Sequence, residues 1–302
     1  MAESPLEPGL IWAGSDDGLV HVTRDDGANW TDVTPPGLPE WGTVAGIEAS
    51  RWNAGTAYVV VDAHRLDDET PYLWRTTDFG ASWKSLTTEL DPEIYLHVLR
   101  EDSRRPGLLY LGTERQVMYS IDDGVSWKSL RLNMPTVAVH DLVVHADDLV
   151  VGTMGRSIWI LDDLTPVRQL DSEIRDAEAL LFPPLSTIRW RYASSPAGSS
   201  AGAGTNRPEG ALLTYFLAED SDDEIKIEIL DQSGQVIRIL SSVAQPRPLD
   251  DDHPDVRQGT ETEPDLTARA GLNRAAWDLR HSGATEIPGA VIDIGNPRSC
   301  LL

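Results

Sequence analysis

Three copies of one short pattern, all in the first half of a 302-residue chain, constrain the fold more than any other feature. They are Thr23-Arg24-Asp25-Asp26-Gly27-Ala28-Asn29-Trp30, Thr76-Thr77-Asp78-Phe79-Gly80-Ala81-Ser82-Trp83 and Ser120-Ile121-Asp122-Asp123-Gly124-Val125-Ser126-Trp127. Each reads Ser/Thr-x-Asp-x-Gly-x-x-Trp. Asp25 and Asp78 lie 53 positions apart, and Asp78 and Asp122 lie 44 apart. A fourth, weaker copy, Trp159-Ile160-Leu161-Asp162-Asp163, follows with Asp162 40 positions beyond Asp122, but it lacks the Gly and the closing Trp. Recurrence at roughly 40–50 residues is the signature of one supersecondary unit used again and again.

The residues ahead of each pattern align as well. Leu10–Ser15, Leu108–Thr113 and Asp148–Thr153 are apolar runs ending in Gly-Ser/Thr, and Thr56–Val61 holds the same place without the Gly. Such short runs, rich in Val, Leu and aromatics and bounded by turn residues, predict strands. The period suits a four-stranded propeller blade. Within the pattern, Asp accepts hydrogen bonds from backbone N–H groups just ahead. Gly takes backbone angles that other residues resist, and Trp packs its ring between neighbouring units. Turn chemistry alone therefore accounts for Asp25, Gly27, Trp30, Asp78, Gly80, Trp83, Asp122, Gly124 and Trp127, which are read as structural. Trp12 and Trp74 fall on strands and are expected in the core.

The pattern resembles the Asp-box, or BNR repeat, shared by sialidases, xyloglucan-type glucanases and sortilin-type receptors. Two further stretches, Gly152–Pro166 and Gly271–Arg280, resemble the bacterial sortilin-N-terminal-like BNR proteins, often labelled glycosyl hydrolase. The resemblance departs at Met154, where that family often has His. It implies a last blade at the first stretch and an immunoglobulin-like domain around the second. It also implies an exported parent, whereas Met1–Pro5 has neither a basic region nor an apolar core of a secretion signal.

The expected architecture is all-β. A partial β-propeller of about three to four four-stranded blades, with a closing connector, takes residues 1–192. A flexible Ser/Ala/Gly linker takes residues 193–209. An incomplete immunoglobulin- or fibronectin-like β-sandwich takes residues 210–302, with Gly210–Phe216, Ile225–Leu230, Gln235–Leu240 and Asn273–Leu279 as strands and Asp231–Gly234 as a hairpin turn. Within the connector, Ala179–Pro184 and Ser186–Trp190 are expected to return a strand to the propeller. Too few blades and an early end to the sandwich make the chain read as a truncated product, or as one that closes by forming a homo-oligomer.

A net charge of −24 argues against nucleic acid and anionic membranes as partners, since phosphate contacts need Lys and Arg. No run approaches a membrane-spanning length, and the single cysteine, Cys300, excludes an intrachain disulfide. The carboxylate-rich stretches Asp220–Glu224 and Asp250–Asp252 lack calcium-loop spacing and read as solvated charge. His140, Asp141, His145 and Asp147 cluster in sequence, but His140 and Asp141 on a strand would point to opposite faces, so isolated surface histidines are expected rather than a metal site.

For function, the residues favour a non-catalytic module that binds a protein or glycan through loops on a rigid scaffold. Glycoside hydrolysis is the alternative. It needs two carboxylates flanking a bond, and no pair among 49 Asp and Glu stands out; the Arg-Ile-Pro signature of sialidases is absent. No catalytic residue, metal or cofactor is assigned. The candidate binding residues are Trp41 and Trp52, in connecting segments, and Arg156, in the turn after the fourth apolar run.

Overall fold

The structure, a computed structural model, describes residues 1–171, 174, 177–189, 206–244 and 264–281. The chain divides into two compact units, Met1–Leu164 and Thr165–Leu302.

The first unit is built from antiparallel sheets in which each strand pairs with the next along the chain. The first sheet holds β1 (Ala2–Glu3), β2 (Ile11–Gly14), β3 (Val20–Thr23) and β4 (Thr31–Asp32). The second holds β5 (Thr43–Ala49), β6 (Ala57–Asp62), β7 (Tyr72–Thr76) and β8 (Lys84–Ser85). The third holds β9 (Leu96–Glu101), β10 (Leu109–Thr113), β11 (Val117–Ser120) and β12 (Lys128–Ser129). The fourth has three strands among the described residues, β13 (Val139–His145), β14 (Asp148–Thr153) and β15 (Ile158–Leu161). Four-stranded antiparallel sheets repeating in this way are consistent with propeller blades. The first strands β5, β9 and β13 lie next to one another, so the sheets stack along that edge.

Burial explains the composition of the second strands. Ala57–Val61 and Leu109–Thr113 are buried at every position, because each of these sheets is covered on both faces by a neighbour. That is why they read as continuous apolar runs rather than as alternation. In β14 the burial alternates, as expected where only one face of the sheet is covered. Two cores result. One gathers Trp12, Val22, Val33 and Ile47 with Val59 and Val61 between the first and second sheets. The other gathers Tyr58, Leu73, Leu86 and Leu96 with Leu111 and Trp127 between the second and third.

The repeated pattern forms the turn from the third strand to the fourth. The Thr23, Thr76 and Ser120 hydroxyls donate to Asp25, Asp78 and Asp122 and accept from the N–H groups of Gly27, Gly80 and Gly124. The same carboxylates accept from the backbone and side chain of Asn29, Ser82 and Ser126. Those bonds, led by the side chains of Asn29 and Ser82, hold the Asp25 and Asp78 carboxyls below the usual range. Trp83 and Trp127 donate their indole N–H to carbonyls of the preceding sheet. Trp30 departs from the expected packing. It is 42% exposed, because no other described sheet of this unit stands in front of the first.

In the second unit, β16 (Ala179–Leu181), β17 (Ala211–Leu217) and β20 (Gly271–Trp277) form one sheet. β18 (Lys226–Leu230) and β19 (Val236–Ser241) form a hairpin through a turn in which Gly234 donates to the Asp231 carbonyl. Leu213, Tyr215, Leu217, Ile227 and Leu240 share one core, so sheet and hairpin pack together. A short helix, α1 (Thr165–Gln169), opens this unit. The expected return of a strand to the propeller is not what forms: Ala179–Leu181 pairs with Leu217–Tyr215 and becomes an edge strand of the second unit. Residues 186–189 form no strand. The linker expected at 193–209 falls mostly outside the described residues, as do Asp250–Asp252 and Cys300. In the other acidic stretch, Asp220 accepts from Ala270 N–H and Glu224 pairs with Lys226 at 2.8 Å, so both are engaged within the unit.

Candidate binding face

Strand direction sorts the loops of the first unit onto two ends. Ala57 pairs with Thr76, so the repeat turns share one end with the turns leaving the first strands. Thr43 pairs with Asp62 and Val61 with Tyr72, so the entries to the first strands and the turns from second to third strand share the other end. This second end carries side chains that the fold does not use up.

Four rings form a continuous run there. His64 stacks on Tyr95 with centroids 4.7 Å apart, Tyr95 meets His97 edge-on at 5.2 Å, and His97 stacks on His140 at 4.2 Å. Asp62, the last residue of β6, anchors the run. Its Oδ1 lies 2.6 Å from His64 Nδ1 and accepts from His64 N–H, while Oδ2 lies 3.8 Å from His97 Nδ1. His97 is 9% exposed, and its Nε2 has no hydrogen-bond partner. Burial, then the neighbouring His140, pulls the His97 pKa down to about 4, against the attraction of Asp62. The ring is therefore neutral at pH 7, with one unsatisfied nitrogen.

Carboxylates flank the rings. Burial and then Glu114, Asp62 and Glu69 raise the Tyr95 phenol above its ordinary value. Burial also raises Glu114, against the pull of Arg115, whose Nε is 2.6 Å away. An array of flat faces beside charged oxygen acceptors and a cation can stack a ring and hydrogen-bond its rim.

The sequence missed this cluster, because its members come from three sheets and are up to 78 positions apart. It also gave the wrong setting for His140. That residue is not isolated: β9 and β13 run side by side, which brings His140 onto His97. The other members of its sequence cluster disperse. Asp141 pairs with Arg100 at 2.9 Å and Asp147 with Arg104 at 2.6 Å. Among the described residues, no three His, Cys, Asp or Glu side chains are arranged to hold a metal ion.

The residues singled out from sequence are divided between the two ends. Trp41 is 63% exposed in the connection into β5, at the ring-bearing end. Arg156 is exposed in the turn from β14 to β15 at the same end, its carbonyl accepting from Trp159 Nε1. Trp52 sits at the opposite end, where its indole donates to the Asp102 carbonyl of the next sheet at 3.2 Å.

That opposite end contains a buried acid with a raised proton affinity. Glu101, 3% exposed, accepts from Ser50 Oγ at 2.8 Å and from Arg51 N–H at 2.8 Å, with Tyr58 Oη at 3.5 Å. Burial raises its pKa against those bonds. Burial likewise raises Glu48, which lies 3.6 Å from Arg100 and accepts from Glu101 N–H. Both are engaged in joining one sheet to the next.

No protein-family model matches this sequence, and no curated protein matches it. Solved β-propeller structures do match, at low identity. YCF48 from Cyanidioschyzon merolae aligns at 16% identity and a TM-score of 0.39, over 54% of this chain and 52% of that one, so the chain spans about half the length of that protein. A structure described as YCF48 bound to D1 peptide aligns at 13% identity and a TM-score of 0.40, over 89% and 90%. The GH74 xyloglucanase from Xanthomonas campestris aligns at 15% identity and a TM-score of 0.41, over 95% of this chain and 43% of the enzyme. These neighbours include a glycosidase and non-catalytic proteins alike.

Proposed function

We propose that Met1–Leu164 is an Asp-box β-propeller segment of the sortilin-N-terminal-like kind, joined to an immunoglobulin-like sandwich, and that it is a non-catalytic module for binding a glycan or protein. The observation that carries this reading is the ring run His64–Tyr95–His97–His140, with a buried unsatisfied His97 nitrogen, on the end of the sheets that the repeat turns leave free. Stacked rings beside acceptors offer affinity without a reacting group. Trp41 and Arg156 extend the same end. Arg156 would meet an anionic group of the ligand.

Glycoside hydrolysis is the second reading, favoured by two acids of raised proton affinity, Glu48 and Glu101. It requires one of them to reach a substrate as an acid. Their hydrogen bonds across the sheet joint support a structural role instead.

Affinity electrophoresis through gels containing xyloglucan, mixed-linkage β-glucan or chitin derivatives, with reducing-sugar release measured on the same polymers, separates the readings. Retardation without sugar release, lost in Tyr95→Ala, is the expected result. Sugar release abolished by Glu101→Gln in a folded variant would establish the hydrolase. If no polymer retards the chain, an immobilised peptide library is the next probe, and silence there too removes the binding reading.

A further inference from the structure

Among the described residues, the sheet stack of the first unit is bounded by two uncovered surfaces that match the two halves of its own internal joint. Between the first and second sheets, and between the second and third, the joint consists of a repeat turn with its Trp on one side and an apolar sheet face on the other. A Cβ on Gly80 would lie 2.5 Å from Val33 Cβ, and one on Gly124 would lie 2.7 Å from Leu86 Cδ1, so both turns are pressed against the preceding sheet. Gly27, in the first sheet, has only its own Trp30 ring within reach. Trp30 forms no hydrogen bond through its indole among the described residues and stands exposed. Among the described residues, the first sheet thus presents the turn half of the joint with nothing on it.

The fourth sheet presents the other half. Ile158 pairs with Gly152 as Val117 pairs with Gly112, so the two occupy matching positions. Val117 is 1% exposed, because the fourth sheet covers the third, whereas Ile158 is 71% exposed. Val143, Val150 and Ile160 lie across from one another on the same face, with Val143 and Ile160 also exposed. Among the described residues, β15 in addition has an open edge. Exposed, flat apolar strands of this kind are normally covered.

We propose that a second copy of this chain covers both surfaces, the first sheet of each copy docking on the fourth sheet of the other. Heterologous contacts of this kind close into a ring when the rotation between copies permits. Two copies of four sheets make eight, within the usual range of about four to eight blades. The internal joint, used between the first and second sheets and again between the second and third, is the pattern for the contact between copies. The inference rests on the sheet stack and is independent of what binds at the ring-bearing end.

Light scattering on a size-exclusion peak of the full chain tests it. The expected mass is twice the 33.2 kDa of one chain. Trp30→Ala, and separately Ile158→Asp with Ile160→Asp, should each run as monomers with unchanged circular dichroism, since all three side chains are exposed within the chain. Mixing the two variants should restore a dimer held by one intact joint, because one copy supplies Trp30 and the other Ile158 and Ile160. A folded wild-type monomer across micromolar concentrations would overturn the proposal. So would a dimer that neither variant weakens, failure of the mixture to pair, or an open polymer in place of a closed species.

Discussion

The indole N–H of Trp83 donates to the carbonyl of Val33, 2.8 Å away and 50 positions earlier in the chain. Trp127 repeats this bond to Leu86 at 3.0 Å. The two contacts show what the closing Trp of the repeat does: it ties its own sheet to the one before, with a hydrogen bond as well as with buried area.

The consequence for stability is a difference between copies of one motif. Trp127→Ala removes a buried ring and its bond, and should cost about 3–5 kcal/mol. Trp30→Ala removes an exposed ring and should cost about 0.5 kcal/mol or less in the monomer. Urea unfolding monitored by circular dichroism measures both. Equal costs would show that the ring acts within its own turn and not between sheets.

Gly80 and Gly27 separate backbone from packing in the same way. Both have positive φ, +85° and +88°, so an alanine strains either turn. Only at Gly80 would the new Cβ collide with Val33. Gly27→Ala should cost about 1 kcal/mol, and Gly80→Ala about 1–3 kcal/mol more. Chemical denaturation of the pair gives the comparison, and a difference near zero would refute the close approach.

Arg100 bridges three adjacent first strands. It pairs with Glu48 in β5 and Asp141 in β13, and donates to the Leu142 carbonyl at 2.8 Å. Arg100→Met leaves Glu48 shielded from water without its cation, at a cost of about 2–4 kcal/mol, the lower end reflecting the partial exposure of the arginine. Adding Glu48→Gln should restore part of that loss. A double-mutant cycle measures the coupling, which would vanish if the pair were only incidental.

His97 should make the fold pH-sensitive on the acid side. Its pKa falls from the ordinary 6.5 to about 4 in the folded chain, so between those values the unfolded chain binds more protons. Stability therefore rises with pH from about 4 to 6.5 and is then level with respect to this group, and the whole step is about 3 kcal/mol at most. The carboxyls of Asp25 and Asp78 shift downward and act in the same sense at still lower pH. His97→Gln should flatten the slope of unfolding free energy across pH 4 to 6.5. An unchanged slope would show that the histidine is not shielded.

The ring run carries the recognition prediction. Tyr95 contacts rings on both sides, His64 and His97. Tyr95→Ala should weaken a stacked ligand by about tenfold, the worth of one aromatic contact. Titration calorimetry with the polymer that retards the wild type checks this, alongside Trp52→Ala, which lies at the far end and should leave affinity unchanged.

What could be read from the chain alone was local. The Ser/Thr-Asp-Gly-Trp spacing determined the turn chemistry, since every bond within it spans four positions or fewer. The apolar runs determined the strands but not the number of covered faces: Asp148–Thr153 reads as an apolar run like Leu108–Thr113, yet its burial alternates. The Asp231–Gly234 hairpin was legible for the same reason. Tertiary structure decided everything that joins one sheet to the next. Ala179–Leu181 has the composition of a strand for either unit, and only the surface offered by Ala211–Leu217 assigned it. Trp30 and Trp127 occupy one motif and differ because one has a sheet in front of it and the other does not. His64, Tyr95, His97 and His140 show no common spacing, and they meet because stacking sheets brings the ends of β6, β9 and β13 together. Periodicity encodes which face of a strand is buried; which strand lies against that face depends on the sum of many weak contacts over the whole unit, and no local pattern contains that sum.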